Sequence, residues 1–180
     1  HLFQSTSNQV IQAANRDSHA RFIRSIVTSR KAILKSLMLP SNEQLRACVR
    51  ADVPGAKPCV SGEIYGLTLL DHDGNVIAGP GADPSDAEGG SKPVYYSLDG
   101  RLCADTHHAT PNCPLAVVAS FRAQGQPDDR SVPTQVIPPG ERPELIEIRY
   151  SIAVDRGLEG SVPYQPITGT VIFDLEEAGI

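Results

Sequence analysis

The sequence predicts an α+β fold: a long N-terminal amphipathic helix packed on an antiparallel β-sheet. Three observations carry that expectation. Residues 1–39 contain no Pro and no Gly, and their apolar side chains recur at spacings of three and four. From Glu63 onward the apolar period shortens to two. The period-two segments follow one another with no helical pattern between them, which joins them antiparallel and leaves a face for the helix to cover.

In the helix the apolar positions are Phe3, Val10, Ile11 and Ala14, then Phe22, Ile23, Ile26, Val27, Ala32, Ile33, Leu34, Leu37 and Met38. Arg16, Arg21, Arg24, Arg30, Lys31 and Lys35 fill the other face. The stripe thins between Val10 and Phe22. The first half is therefore expected to meet solvent or a partner, and the second half to dock on a core. A helix of about 38 residues spans roughly 57 Å, so one end should project. Pro40 ends it, because the residue before a proline is pushed out of helical geometry. Ser41 then caps a short second helix from Asn42 to about Arg50. The expected organisation is a helix over residues 1–39 and a globular head over 40–180, forming one structural domain.

The strands follow in order. Ile64–Leu70 and Asn75–Ala78 flank the turn residues Asp71, His72, Asp73 and Gly74 and read as a hairpin. Gly79 to Pro93 is rich in Gly, Pro, Asp and Ser and reads as a surface loop. Val94–Ser97 is a short strand closed by the Asp99-Gly100 turn. Leu115–Arg122 is a strand, and Gln124 to Pro143 is a polar connection. In Leu145–Val154, Ile146, Ile148, Tyr150 and Ile152 alternate with Glu147, Arg149 and Ser151. Thr168–Leu175 is the last strand. Four to five strands are expected, with Ile26, Ile33 and Leu37 of the helix facing Ile146, Ile148 and Ile152.

Composition excludes several classes. Forty per cent apolar residues suffice for a core, and 21% charged residues argue against a disordered chain. The 15 Gly and 15 Pro exclude a helical bundle. A net charge of −5 does not suit phosphate neutralisation, so no nucleic-acid partner is expected. No apolar run approaches the roughly 20 residues of a membrane helix. Six Arg and Lys against Asp17 give residues 1–39 a charge of +5, which leaves −10 for the remainder. The basic face reads as a solvated helix face or as one that meets acidic neighbouring subunits. The chain opens at His1, has Met38 as its single methionine and shows no signal-peptide pattern, so a segment upstream is expected.

The four cysteines, Cys48, Cys59, Cys103 and Cys113, allow three pairings. The local pairing, Cys48 with Cys59 and Cys103 with Cys113, closes two short Pro-containing loops. In the chain-entropy picture each such loop contributes about 2–3 kcal/mol. Disulfides persist in oxidising compartments, which points to the periplasm or the cell exterior. Four reduced thiols in a cytosolic protein is the second reading. The third is zinc, with Asp105, His107 and His108 between Cys103 and Cys113. Adjacent histidines in an extended segment point opposite ways, which disfavours a shared metal.

Other chemistry finds little support. His19, His72, His107 and His108 are available as bases, but no serine sits in a nucleophile-elbow context, so no enzymatic activity is expected. Gly79-Pro80-Gly81 and Gly89-Gly90 lack the helix and Lys-Ser/Thr pair of a phosphate loop. Asp71, Asp73 and Asn75 form a weak calcium candidate, with Asp83, Asp86 and Glu88 of the next loop as further oxygen sources; a hairpin turn explains the same residues. No cofactor is expected.

A long helix, a proline, a cysteine-bearing loop and a turn-rich antiparallel sheet together resemble the soluble part of a type IV pilin or pseudopilin. Leu69-Leu70-Asp71-His72-Asp73-Gly74-Asn75-Val76 resembles the D-x-D-G-N turn of minor pilin-like proteins. Tyr95-Tyr96-Ser97-Leu98-Asp99-Gly100-Arg101-Leu102-Cys103, followed by Cys113-Pro114-Leu115-Ala116-Val117, resembles a segment of bacterial pilin-like sequences. The resemblance implies a non-enzymatic structural subunit of a type IV pilus or type II secretion filament. Its partners would be other pilin or pseudopilin subunits, and the inner membrane through a missing N-terminal segment. The family's apolar anchor and its early Glu are absent here, since the first Glu is Glu43. The alternative is a periplasmic ligand-binding or sensor domain anchored through its N-terminal helix.

Overall fold

The computed structural model describes the backbone of all residues except 1, 51–54, 56, 85–89, 105, 125–134 and 139, and side chains from residue 14 onward. The helices are α1 (Leu2–Val27), α2 (Arg30–Leu37) and α3 (Glu43–Val49), with a 3₁₀ turn over Pro40–Asn42. The strands are β1 (Val60–Ser61), β2 (Ile64–Leu67), β3 (Leu69–Leu70), β4 (Val76–Pro80), β5 (Val94–Tyr96), β6 (Leu115–Gln124), β7 (Gln135–Val136), β8 (Leu145–Val154) and β9 (Ile167–Asp174).

This architecture overturns the expected fold class. The helix expected over residues 1–39 is not one long rod but is broken into α1 and α2, while α3 falls where the short second helix was expected. After the β-branched run Ile26-Val27-Thr28, the Thr28 hydroxyl donates to the Arg24 carbonyl at 2.9 Å and offers the backbone an alternative to another helical turn. Ser29 then turns extended (φ −82°, ψ 118°) and accepts from the Ala32 amide as the N-cap of α2. The expected stop at Pro40 therefore closes the second helix and not the first. Ser41 does not cap α3; Asn42 stands at its N-cap, and its side chain is engaged elsewhere.

The sheet is also not purely antiparallel. Seven strands form one curled mixed sheet, and β1 pairs separately with β7. On one side β6 pairs with β8 along its whole length, and β8 with β9. On the other side β6 is shared: β5 takes Leu115–Val117, β4 runs parallel against Val118 and Ala119, and β2 takes Ala119–Arg122. The parallel contact uses residues that read as the start of a loop. Gly79 and Pro80 join the sheet because Gly79 lacks a Cβ, which would lie 1.7 Å from the Lys92 carbonyl oxygen. Gly66 likewise admits Pro80, whose Cβ would stand 2.8 Å from an added methyl.

The core lies between the helices and one face of the sheet. Ile23, Ile26, Val27, Ile33 and Leu37 share a buried cluster with Val117, Ala119, Phe121, Ile146, Ile148 and Ile152. Buried Asn42 ties helix to sheet: its amide donates to Ser36 O at 2.7 Å and Thr68 O at 2.8 Å, while its Oδ1 accepts from Thr68 N at 3.0 Å.

Candidate functional site

Three surfaces concentrate the polar chemistry: the outward face of α1 and α2, the hairpin turn beneath their junction, and the sheet face away from the helices.

On α1, His19, Ile23, Ile26 and Val27 are buried, while Asp17, Ser18, Arg21, Phe22, Arg24 and Ser25 face outward. Among the described residues Arg21, Arg24 and Lys31 form no ion pair, and Phe22 between them is 46% exposed. Arg16 instead turns toward the segment before β9, donating to Gln165 Oε1 at 2.9 Å. The outward face is thus a basic stripe around one aromatic ring. His19 was missed as a structural element: its ring packs against Tyr96 at a tilt of 44° with centroids 4.5 Å apart, and neither ring nitrogen reaches a hydrogen-bond partner. Burial lowers its pKa to about 4, so it is neutral at pH 7. Burial also pushes the Tyr96 hydroxyl upward; it donates to Ile77 O at 2.7 Å.

In the hairpin turn the side chains of two of the three calcium candidates, Asp71 and Asn75, are already engaged. Asp71 Oδ1 accepts from the amides of Asp73 (2.9 Å) and Asn75 (2.8 Å), and Oδ2 from the Asn75 side chain (3.2 Å). Burial would raise the Asp71 carboxyl, but these hydrogen bonds together outweigh it and hold its pKa below the ordinary value. Asp86 and Glu88 lie outside the described residues. Among those described, no group of three His, Cys, Asp or Glu is placed to hold a metal. The turn instead braces the α1–α2 junction: Lys35 Nζ donates to His72 O at 2.6 Å, and His72 Nδ1 stands 3.4 Å from Ser29 Oγ. That Ser–His approach is longer than the ~2.6–3.2 Å of a working nucleophile–base pair, and Ser29 is occupied as a cap.

The cysteines pair locally. Cys48 is bonded to Cys59 inside the core and Cys103 to Cys113 nearer the surface. The thiols are therefore not available to zinc, and Asp105 lies outside the described residues. The two bridges indicate an oxidising environment, periplasmic or extracellular. No helix among the described residues is long and apolar enough to cross a membrane.

The outer sheet face carries charged residues in otherwise apolar strands. Glu147 Oε2 accepts from Arg122 at 2.7 Å and from the Gln124 amide. Arg149, two residues on, forms no ion pair among the described residues. Beyond it a groove of about 360 Å³ is lined by Arg149, Ser151, Thr168, Glu159 and Tyr164, with Ala82–Pro84 on one wall. The alternation in β8 signalled this face; its closeness to Arg122 and the groove depended on tertiary pairing.

The fold and these surfaces define a disulfide-stapled extracytoplasmic domain with a helix-backed, curled mixed sheet. No family model matches the chain, and neither any curated protein nor any solved structure does.

Proposed function

We propose that the chain is a non-enzymatic structural subunit, a minor pilin or pseudopilin, of a type IV pilus or type II secretion filament. The observation that carries this reading is the outward face of α1 and α2. It presents Arg21 and Arg24 beside exposed Phe22 on α1 and exposed Lys31 on α2, on a chain whose remaining charge beyond residue 39 is −10. A basic, partly apolar helix face on one subunit complements an acidic body on the next, which favours head-to-side packing. The two disulfides support an extracytoplasmic place of work. In this reading a segment upstream holds the subunit in the inner membrane before assembly, and other pilin or pseudopilin subunits are its partners.

The test is Arg21→Glu/Arg24→Glu in the full-length protein, followed in the sheared filament fraction. Loss of the subunit from that fraction, with an unchanged melting temperature for the purified domain, is the expected result. Undiminished incorporation, or a gene that encodes an ordinary signal peptide in place of a prepilin leader and apolar helix, overturns it.

The groove beside Arg149 favours a second reading, a periplasmic ligand-binding or sensor domain. Its volume lies near the lower end of small-molecule sites. Titration with small carboxylates, read by chemical shifts of Ser151 and Thr168, tests it.

A further inference from the structure

The sheet ends on one side at β9, which pairs with β8 from Ile167↔Ile152 to Asp174↔Leu145 without a register shift. In an antiparallel ladder, alternate residues of such a strand aim their N–H and C=O groups away from the neighbour. Among the described residues, no further hydrogen bond ends on residues 167–173. β9 is therefore an open edge.

Proteins blunt open edges with brevity, bulges, Pro or Lys. The strand at the other end of this order uses such devices: β3 has two residues and a shifted register. β9 uses none. Ile167–Phe173 is a run of seven residues with no Pro and no charge, rich in Thr, Val, Ile and Phe.

That run is also complementary to itself. With two antiparallel copies centred on Thr170, Thr168 stands opposite Ile172, Gly169 opposite Val171, and Ile167 opposite Phe173. Every pair then keeps its face. Exposed Thr168, Thr170 and Ile172 continue the outer surface, and the half-buried Ile167, Val171 and Phe173 continue the core side. A slip of one residue breaks both faces at once. No like charges meet, because Asp174 falls outside the ladder. Exposed Ile172 also gains a neighbour.

We infer that two copies of this chain pair β9 to β9 about a two-fold axis, joining their seven-stranded sheets into one. The contact is isologous and closes at the dimer, unlike a head-to-side filament contact. It uses backbone groups of β9, not the Arg21, Arg24 and Phe22 side chains of α1, and does not rest on the filament reading. Two short strand edges make a small interface, so the association is weak and concentration-dependent.

Sedimentation equilibrium of the 180-residue chain, from micromolar to millimolar concentration, tests the inference. The wild type is expected to pass from monomer to dimer. Thr170→Lys and Thr170→Glu each place like charges across the two-fold and weaken the dimer about fivefold or more. An equimolar mixture of the two restores it, which loss of folding cannot do; the melting temperature of each variant reports its fold independently. A wild type that stays monomeric throughout, single variants that associate like the wild type, or a mixture no tighter than its components each overturn the inference.

Discussion

His19 makes the stability of this domain depend on pH in a calculable way. The residue is 4% exposed, and its ring packs at a tilt against Tyr96 and lies against Gly100, with both nitrogens unpartnered. In the folded chain its pKa is about 4, against an ordinary 6.5. Between those values the unfolded chain binds the proton and the folded chain does not, so stability falls as pH drops through 6.5 and the loss is complete below 4. At about 1.4 kcal/mol per unit, the full loss is about 3 kcal/mol, of which about 2 kcal/mol appears between pH 7 and pH 5. His19→Leu removes this component. At pH 7 the variant should be nearly neutral, because the lost ring contact of about 1 kcal/mol is offset by removal of a buried unsatisfied donor. Urea denaturation of both proteins at pH 7, 6 and 5 provides the assay. The wild type should lose about 2 kcal/mol more than the variant over that range. Parallel stability curves for the two proteins would refute the reasoning.

Other perturbations follow from the same packing. Asn42→Ala strands the Thr68 amide and carbonyl and removes one donor to the Ser36 carbonyl, which keeps the Leu39 amide, and should cost about 3 kcal/mol in urea denaturation. Gly79→Ala drives a methyl into the Lys92 carbonyl and should cost more than about 3 kcal/mol or prevent folding, whereas Gly74→Ala, with open space around it, should cost only its positive-φ strain, about 1 kcal/mol. Under limiting reductant at pH 8, mass mapping after alkylation should show Cys103–Cys113 opening before the core-buried Cys48–Cys59.

The sequence made β8 legible to the residue, because Ile146 through Ile152 alternate cleanly against charged partners. The hairpin turn was equally readable, since Asp71 and Gly74 supply the turn chemistry directly. The break between α1 and α2 carried a local signal, Thr28-Ser29 after two β-branched residues, but an apolar stripe that continues through Leu37 masks it. The parallel pairing of Gly79 and Pro80 had no local signal. It depends on Lys92 and Gly66 lying nearby, which only the assembled sheet brings about. At the site, the outward Glu147 and Arg149 could be read from alternation, but the Arg122 partner and the groove could not. His19 offered no cue at all, because nothing in its neighbours distinguishes a buried histidine from a solvated one.

β6 has a consequence for how the chain reaches this state. Three strands on one flank and the β8–β9 ladder on the other meet along its ten residues. Until Leu115–Gln124 has emerged during synthesis or export, β2, β4 and β5 have no central strand against which to lie. Leu67, Leu69, Ile77 and Tyr96, all buried in the finished fold, lack that strand's cover until then. A nick or truncation before Leu115 should therefore leave no fragment that holds a native fold. The domain has no smaller working part, and its assembly is governed by late, long-range pairing around one strand.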